Sequence, residues 1–122
     1  MALNLAAAHL GSSGEEFACR YLRERGFEIV ERNWRIKEGE IDIVARTSEG
    51  LFVFIEVKTR RSAAYGDPLE SISRDKAMRL QRLALAWLAT HHRLGDPYRI
   101  DAMGLILGRS GSFIVDHREG VL

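Results

Sequence analysis

The chain has a single cysteine, Cys19, so it lacks a partner for a disulfide and the set of thiolates that a zinc cluster needs. It also lacks long apolar runs: no window approaches the roughly 20 residues of a membrane span. The apolar opening MALNLAAAHLG has neither the positive n-region nor the cleavage site of a signal peptide. We therefore expect a soluble, cytoplasmic protein in which Cys19 is structural.

The sequence also lacks a large excess of either basic or acidic residues. Eighteen Lys and Arg residues face seventeen Asp and Glu, which leaves a formal net charge of +1. No global basic footprint indicates nucleic acid or a membrane surface, so any such binding face must be local. With 122 residues, of which 46% are hydrophobic, the chain is expected to form one globular domain over residues 1–122.

Hydrophobic periodicity predicts helices and strands in the order αβββαββ. The predicted helices span residues 13–26 and 73–92, and the predicted strands span residues 27–36, 41–46, 51–57, 98–107 and 112–117. The first helix is placed from a capping box formed by Ser13 and Glu16. Residues 59–72 show no periodicity and are predicted to be a loop. Continuous apolar strands are typical of a sheet covered on both faces, which indicates an α/β fold.

Three charged residues interrupt these apolar strands or stand at their ends: Asp42, Glu56 and Lys58. A three-residue turn at 48–50, with its glycine in the left-handed conformation, places Asp42 opposite Glu56 and Glu40 opposite Lys58. Opposed side chains have Cβ atoms about 5 Å apart, so two carboxylates there repel each other or share a cation. Oxygen ligands of this kind suit Mg²⁺. The alternative is a set of ion pairs or solvated strand ends.

A third carboxylate comes from the first predicted helix. Glu15 lies on the apolar side of that helix and is expected to look toward the sheet. Glu16 lies toward Arg20 and Arg23, with which we expect it to form a solvated ion pair.

Basic residues are concentrated in one segment, 58–82, where seven of them face three acidic residues. The basic residues are Lys58, Arg60, Arg61, Arg74, Lys76, Arg79 and Arg82. This local excess of +4, seven minus three, predicts a track for phosphates, which would bind nucleic acid with little sequence selectivity. The alternative is an ordinary solvated helix face.

Two other polar features are weaker candidates for a site. His91 and His92 are adjacent, so they do not share a helix face as metal-binding histidines would, and we expect them to cap the helix end. Asp101 lies inside a later predicted strand, where it either supports the site from behind the metal ligands or pairs with an arginine, and we favour pairing.

The segments GEIDIVA and FIEVKTR, separated by a hairpin, are similar to the core of the PD-(D/E)XK nuclease superfamily. With GSSGEEFACRYLRERGFEIVERNWRIKEGEIDIVA, they resemble the YraN-type family of uncharacterised bacterial proteins, whose fold is similar to that of archaeal Holliday-junction resolvases. The resemblance covers the chain from Gly14 to the YRIDAM strand. It implies a restriction-endonuclease-like, three-layer core with a central mixed sheet flanked by helices.

The resemblance also implies an activity and a set of residues. It predicts a Mg²⁺- or Mn²⁺-dependent endonuclease that cleaves branched DNA, with a role in repair or recombination. The metal would be held by Asp42, Glu56 and the carbonyl of Val57, with help from Glu15, and Lys58 would be catalytic together with the two carboxylates. Relatives in fold work as two-fold dimers, so a homodimer is compatible with the resemblance. The alternative function is a nucleic-acid-binding or assembly protein that keeps the fold without turnover.

Overall fold

The computed structural model describes residues 2–62, 64 and 66–122, and there a five-stranded sheet lies between two helices. The elements are α1 (Ala2–Glu24), β1 (Glu28–Ile36), β2 (Gly39–Arg46), β3 (Phe52–Arg60), a 3₁₀ helix (Pro68–Ser71), α2 (Arg74–Thr90), β4 (Tyr98–Leu107) and β5 (Phe113–Arg118). Apart from the 3₁₀ helix, this is the predicted order. Ala63 and Tyr65, in the segment predicted as a loop, lie outside the described residues.

The strands are arranged in the order β1-β2-β3-β4-β5. All neighbours are antiparallel except β3 and β4, which run parallel. A parallel pair needs a crossover connection rather than a tight turn, and α2 supplies it. The sheet is therefore mixed, with β3 at its centre.

Each face of the sheet is covered by one helix. On one face, α1 packs against residues of β2, β3 and β4 in a core that includes Ala18, Cys19, Leu22, Ile43, Ile55 and Met103. On the other face, α2 packs in a core that includes Val44, Phe54, Leu80, Leu83, Trp87 and Ile100. Strands buried on both faces explain the continuous apolar runs of the sequence. The predicted three-layer α/β architecture, a central mixed sheet flanked by helices, is confirmed.

The prediction of where α1 begins was wrong. The helix starts at Ala2, so Ser13 lies inside it rather than at its N-cap. Several alanines and leucines precede Ser13, and their high helix propensity extends the helix beyond the apparent capping box.

Within the described residues, no helix is both long and apolar enough to cross a membrane.

The prediction of a loop over residues 59–72 was wrong at both ends. Strand β3 continues to Arg60 because Thr59 and Arg60 pair with Leu105 and Ile106 of β4, a distant partner that local sequence does not reveal. Further on, Pro68 opens the 3₁₀ helix, with the Asp67 side chain accepting a 2.8 Å hydrogen bond from the N–H of Leu69.

Asp101 is fully buried in β4 and pairs with an arginine, as predicted. Its carboxylate accepts hydrogen bonds from Arg99 Nε at 2.8 Å and the Gly120 N–H at 3.0 Å, and lies 2.8 Å from His117 Nε2. Burial raises the pKa of Asp101, but the bonds from His117, Arg99 and Gly120 outweigh it, so the pKa is lowered overall. Asp101 thus ties β4 to the C-terminal end of the chain.

Candidate nuclease site

The β2–β3 turn sets the register that brings the acidic residues together. The N–H of Thr47 donates to the carbonyl of Leu51, and Gly50, at φ +92°, donates back to Thr47. The strands then pair as Ile43 with Ile55, the register that a three-residue turn predicts. Extended by one residue, this register sets Asp42 against Glu56, but the ladder itself ends at Ile43 and Ile55. Glu56 is near enough for its charge to raise the pKa of Asp42.

The sheet is irregular at Asp42 on both sides. Ile41 and Val44, three residues apart, both belong to the core under α2, so the alternation of β2 breaks between them. Toward β1, the position across from Asp42 is that of Asn33, which has φ +53° and is missing from the ladder between Arg32 and Trp34. Toward β3, regular pairing ends at Ile43. Asp42 therefore sits where β2 departs from both neighbours.

The carboxylate of Asp42 replaces a backbone acceptor at this point. Its Oδ2 accepts a 2.8 Å hydrogen bond from the N–H of Val57 in β3. Because the N–H and C=O of a residue in an extended strand point toward the same neighbour, the Val57 carbonyl faces the same side. The side chain and this carbonyl are thereby held on the same edge of β3.

The pKa of Asp42 is raised to about 7. Burial is the largest cause, and the hydrogen bond from Val57 works against it. The negative charges of Glu56, Glu15 and Glu40 add to the rise. Mutual repulsion of the carboxylates was predicted from the sequence, but burial is the stronger cause of the raised pKa.

Glu56 and Lys58 lie one residue either side of Val57 and point into a cleft between the sheet and α2. Lys58 Nζ is 3.7 Å from Glu56 Oε1, and both side chains are roughly one-quarter exposed. The cleft has a volume of about 230 Å³, and we call it the acidic–basic cleft. Its lining residues are Gly39, Glu40, Glu56, Lys58, Lys76, Arg79, Leu80 and Leu83.

Two of the predicted phosphate-binding residues, Lys76 and Arg79, thus face Glu56 across this cleft. Arg79 and Arg82 also line an adjoining cavity of about 360 Å³. In the part of the chain that the structure describes, Lys76, Arg79 and Arg82 form no ion pair. Arg60 and Arg61 lie at the end of β3 and do not line the acidic–basic cleft.

Glu15 faces the sheet, as predicted, but it is already engaged there. Its Oε1 accepts hydrogen bonds from Asn33 Nδ2 at 2.8 Å and Arg32 Nε at 3.2 Å. The backbone of α1 comes close at this point because Gly14 is buried against β3: a Cβ there would lie 2.3 Å from Thr59 Oγ1. Glu15 therefore lies near enough for its charge to raise the pKa of Asp42.

The predicted partners of Glu16 were wrong. Its Oε2 accepts a 2.7 Å hydrogen bond from Arg32 Nη1 on β1, rather than pairing chiefly with Arg20 or Arg23 on its own helix. The bond to Arg32 is the main reason that the pKa of Glu16 is lowered. A contact between a helix and a strand is invisible to helical spacing, which is why sequence reasoning missed Arg32.

Asn33 is the other residue that sequence reasoning missed. It stands beside Asp42 and donates to Glu15, so it connects two of the predicted metal-binding carboxylates. Its signal was a lone Asn within a β-rich segment, since Asn adopts the left-handed conformation more readily than other residues with a side chain.

These contacts leave no ready-made cluster of ligands. Among the described residues, no group of three His, Cys, Asp or Glu side chains is placed to hold a metal. Arg32 and Asn33 occupy Glu15, which leaves Asp42 and the nearby Glu56 as the carboxylates available to a cation. Mg²⁺ commonly uses only one or two protein carboxylates, so this pair with the Val57 carbonyl has the donor chemistry of such a site.

His91 caps α2, as predicted, with its Nδ1 atom 2.7 Å from the carbonyl oxygen of Trp87. Cys19 is buried in the core beneath α1, and burial raises the pKa of its thiol. Neither residue contributes to the acidic–basic cleft.

Among the solved structures that match this chain, two of low similarity illustrate the likeness. One is described as "Structure of EndoMS-dsDNA2 complex": identity is 22% and the TM-score 0.36, over 68% of this chain and 28% of that one. The other is Pyrococcus furiosus SfsA in complex with Ca²⁺: identity is 19% and the TM-score 0.35, over 96% of this chain and 63% of that one.

Sequence relatives are much closer. A UPF0102 protein of Beutenbergia cavernae is 48% identical over 112 residues, covering 92% of this chain and 94% of the relative. One of Streptomyces griseus is 46% identical over 119 residues, covering 95% and 98%. Residues 14–105 match the model of the Uncharacterised protein family UPF0102. The chain therefore belongs to this family, the YraN-type family that its GEIDIVA and FIEVKTR segments indicated.

Proposed function

We propose that this protein is a Mg²⁺-dependent endonuclease that hydrolyses phosphodiester bonds of DNA, with branched DNA as the preferred substrate. One observation carries the proposal: the partly buried Asp42 has a pKa raised to about 7, in part by the charge of Glu56, which lines a cleft together with Lys58, Lys76 and Arg79. In this proposal the chain acts as a single cytoplasmic domain.

The environment of Asp42 supports a cation between the carboxylates. Burial and three neighbouring carboxylates disfavour its ionised form, and a divalent cation would relieve this negative potential. Asp42, Glu56 and the Val57 carbonyl would hold it. Glu15, which is bound to Arg32 and Asn33, would assist through its charge, which already acts on Asp42. When bound, Mg²⁺ supplies a more acidic water and screens the charge of the phosphate.

The basic side chains of the cleft then have separate roles. Lys58, beside Glu56, is placed to stabilise the negative charge that develops on the reacting phosphate, and an ammonium on a flexible stem suits this role. Lys76 and Arg79, on the opposite wall, would hold neighbouring phosphates of the strand. Contacts to phosphate position DNA without reading its sequence, so selectivity would depend on DNA structure.

A second candidate function is nucleic-acid binding or assembly without turnover. The hydrogen bonds of Glu15 to Arg32 and Asn33 favour it, because a carboxylate already neutralised by an arginine is a weaker metal ligand. The basic wall of the cleft is compatible with either function.

Cleavage assays separate the two. Labelled four-way junction, flap, single-stranded and duplex DNAs are incubated with Mg²⁺ or Mn²⁺ and wild type, Asp42→Asn or Glu49→Gln. Glu49 lies in the exposed β2–β3 turn, so its change to an amide is the matched control. We expect wild type and Glu49→Gln to cleave the junction and Asp42→Asn only to bind it. Binding by all three without cleavage would support the second function, and cleavage by Asp42→Asn would contradict the first.

A further inference from the structure

Another cavity lies at the far end of α2, away from the acidic–basic cleft. It has a volume of about 480 Å³, within the usual range for small-molecule sites, and we call it the helix-end pocket. Phe52 at its base lies four residues before Glu56 on β3, a separation of about 13 Å along an extended strand. Its principal lining residues are Glu31, Arg46, Phe52, Trp87, His91 and Arg93.

The C-terminus of α2 has a specific geometry that presents two of these residues. The N–H of Arg93 donates to the carbonyl of Leu88 at 2.7 Å, and that of His92 to Ala89 at 3.2 Å. This is the double hydrogen bond of a Schellman motif, with His92 at φ +58° in the position that usually takes glycine. The motif ends the helix so that His91 and Arg93 both line the helix-end pocket.

His91 forms a fixed aromatic platform in the pocket. Its ring stacks on Trp87, with 3.9 Å between centroids and 16° between planes. The bond between His91 Nδ1 and the Trp87 carbonyl fixes one edge of the ring, and the Trp87 indole in turn donates a 2.9 Å hydrogen bond to Glu31. The His91 side chain remains 35% exposed. A planar ligand could stack on it with little reorganisation.

Two guanidinium groups converge on one ring in the same pocket. The Cζ atoms of Arg46 and Arg93 lie 4.8 and 5.7 Å from the centroid of Phe52. Among the described residues, Arg46 forms no ion pair, and Arg93 has only Asp96, at 3.6 Å. Guanidinium groups bind phosphate through paired hydrogen bonds, so this arrangement fits a phosphate group.

Carboxylates balance these charges and restrict the ligand further. Oε1 of Glu31 accepts the hydrogen bond from Trp87 and lies 3.6 Å from His91 Nε2. Its Oε2 has no hydrogen bond within the described residues. Glu28 also lines the pocket. A simple anion would be repelled by two carboxylates. A ligand with both a phosphate and N–H donors suits the pocket, because the phosphate can bind the arginines and the N–H groups can donate to the carboxylates. The exocyclic amine of a base is such a donor.

We propose that the helix-end pocket binds a nucleotide whose base carries an exocyclic amino group. The base stacks on His91 and donates to Glu31, while Arg46 and Arg93 hold the phosphate. This chemistry is shared by a free nucleotide and by a nucleotide within a nucleic-acid strand. The proposal rests on this pocket alone and does not require a metal at Asp42.

Calorimetric titration with matched ligands tests it. CMP and UMP have nearly the same size but differ in the amine, and cytidine lacks the phosphate. We expect CMP to bind about tenfold more tightly than either UMP or cytidine. Glu31→Gln should abolish the preference for CMP over UMP, and Arg93→Gln should weaken CMP binding about tenfold. Equal binding of CMP and UMP, or no CMP binding, would overturn the proposal.

A matched control variant and a comparison of CMP with an oligonucleotide complete the test. Arg20 lies 5.8 Å over Phe17 on α1, so Arg20→Gln removes the same kind of contact elsewhere and should not alter CMP binding. Equal losses from Arg20→Gln and Arg93→Gln would also overturn the proposal. The source of the nucleotide is tested with Asp42→Asn protein, to which CMP and a 5′-phosphorylated oligo-dC are added separately and in competition. If the two compete and the oligonucleotide binds more tightly, the natural ligand is a nucleotide within a strand. If CMP binds more tightly, the natural ligand is a free nucleotide.

Discussion

The Oδ2 atom of Asp42 accepts a 2.8 Å hydrogen bond from the backbone N–H of Val57, the residue between Glu56 and Lys58. The bond joins a side chain of β2 to the backbone of β3 at the place where regular pairing of the two strands ends. The position of the carboxylate is therefore fixed by the sheet rather than by a flexible loop. It also makes the Val57 amide a direct reporter of the ionisation of Asp42.

Stability should fall as pH rises through neutrality. Since the folded-state pKa of Asp42 is raised to about 7, the folded state holds a proton that the unfolded state loses near its ordinary pKa. The stabilisation is complete below the ordinary pKa and is lost progressively as pH rises to about 7. A shift of this size corresponds to at most about 4 kcal/mol. Urea unfolding at about pH 5 and about pH 8.5 measures the part that is lost above pH 5, roughly 2–3 kcal/mol, and the Val57 amide shift locates the pKa.

Asp42→Asn should remove this dependence. We expect the stability of the variant relative to wild type to increase by about 1–3 kcal/mol between about pH 5 and about pH 8.5, because a neutral amide carries no buried charge. Glu49→Gln, in the exposed turn, should leave the dependence intact. A variant less stable than wild type at the higher pH would indicate that Asp42 forms a structural ion pair instead.

Divalent metal should stabilise the wild-type fold without any substrate. At about 100 times the dissociation constant, binding to the folded state alone contributes about 2.7 kcal/mol, which a thermal melt detects easily. We expect Mg²⁺ or Mn²⁺ to raise the melting temperature of wild type and Glu49→Gln, but not of Asp42→Asn. The response should be smaller at about pH 5, where protonated Asp42 is a poorer ligand. A wild type indifferent to both metals would remove the proposed metal site.

Arg79 and Arg82 should contribute to DNA binding through phosphates. Replacing both by Ala should weaken binding to every DNA and reduce the slope of log K against log salt by about 2, since each phosphate contact contributes about 0.9. Arg20 and Arg23 have the same spacing on exposed positions of α1, so replacing them is the matched control. An unchanged slope for the α2 pair would remove the phosphate track from that helix.

Two glycines of α1 should respond to alanine in opposite directions. Gly14→Ala brings a Cβ within 2.3 Å of Thr59 Oγ1 and should cost about 1–3 kcal/mol, whereas Gly11 has no atom within 4 Å and its change should stabilise the helix by about 1 kcal/mol. Thr59→Ala removes the two nearest atoms and should restore much of the loss in the double variant. Similar unfolding energies for the two single variants would show that α1 can move away from β3 freely.

Sequence was most informative where short-range rules decide the structure. The spacing of the 48–50 turn was enough to predict the pairing of Ile43 with Ile55, which brings Glu56 near Asp42, because antiparallel register follows directly from turn length. The β4 strand was predicted with its observed limits, since its apolar run is buried on both faces. The carboxylates of the candidate site therefore follow from local pattern.

Features that depend on distant partners were not predictable in this way. The extension of β3 through Arg60 rests on pairing with β4, and the capture of Glu15 and Glu16 rests on Arg32 in another element. The left-handed Asn33 is similar, since its conformation depends on the irregular sheet around Asp42. Local sequence identified Asp42 and Glu56, but it did not reveal the hydrogen bonds that already hold the neighbouring Glu15.

The parallel pairing of β3 with β4 has a consequence for the folding pathway. The strands β1, β2 and β3 form a meander with short connections, so contacts among them close small loops. By contrast, Phe52 meets Tyr98 only after the chain has passed through all of α2. Non-local contacts of this kind limit folding rates. The meander that carries Asp42 and Glu56 should therefore form in the transition state, while β4 and β5 complete the sheet afterwards, so that substitutions in these last strands mainly accelerate unfolding.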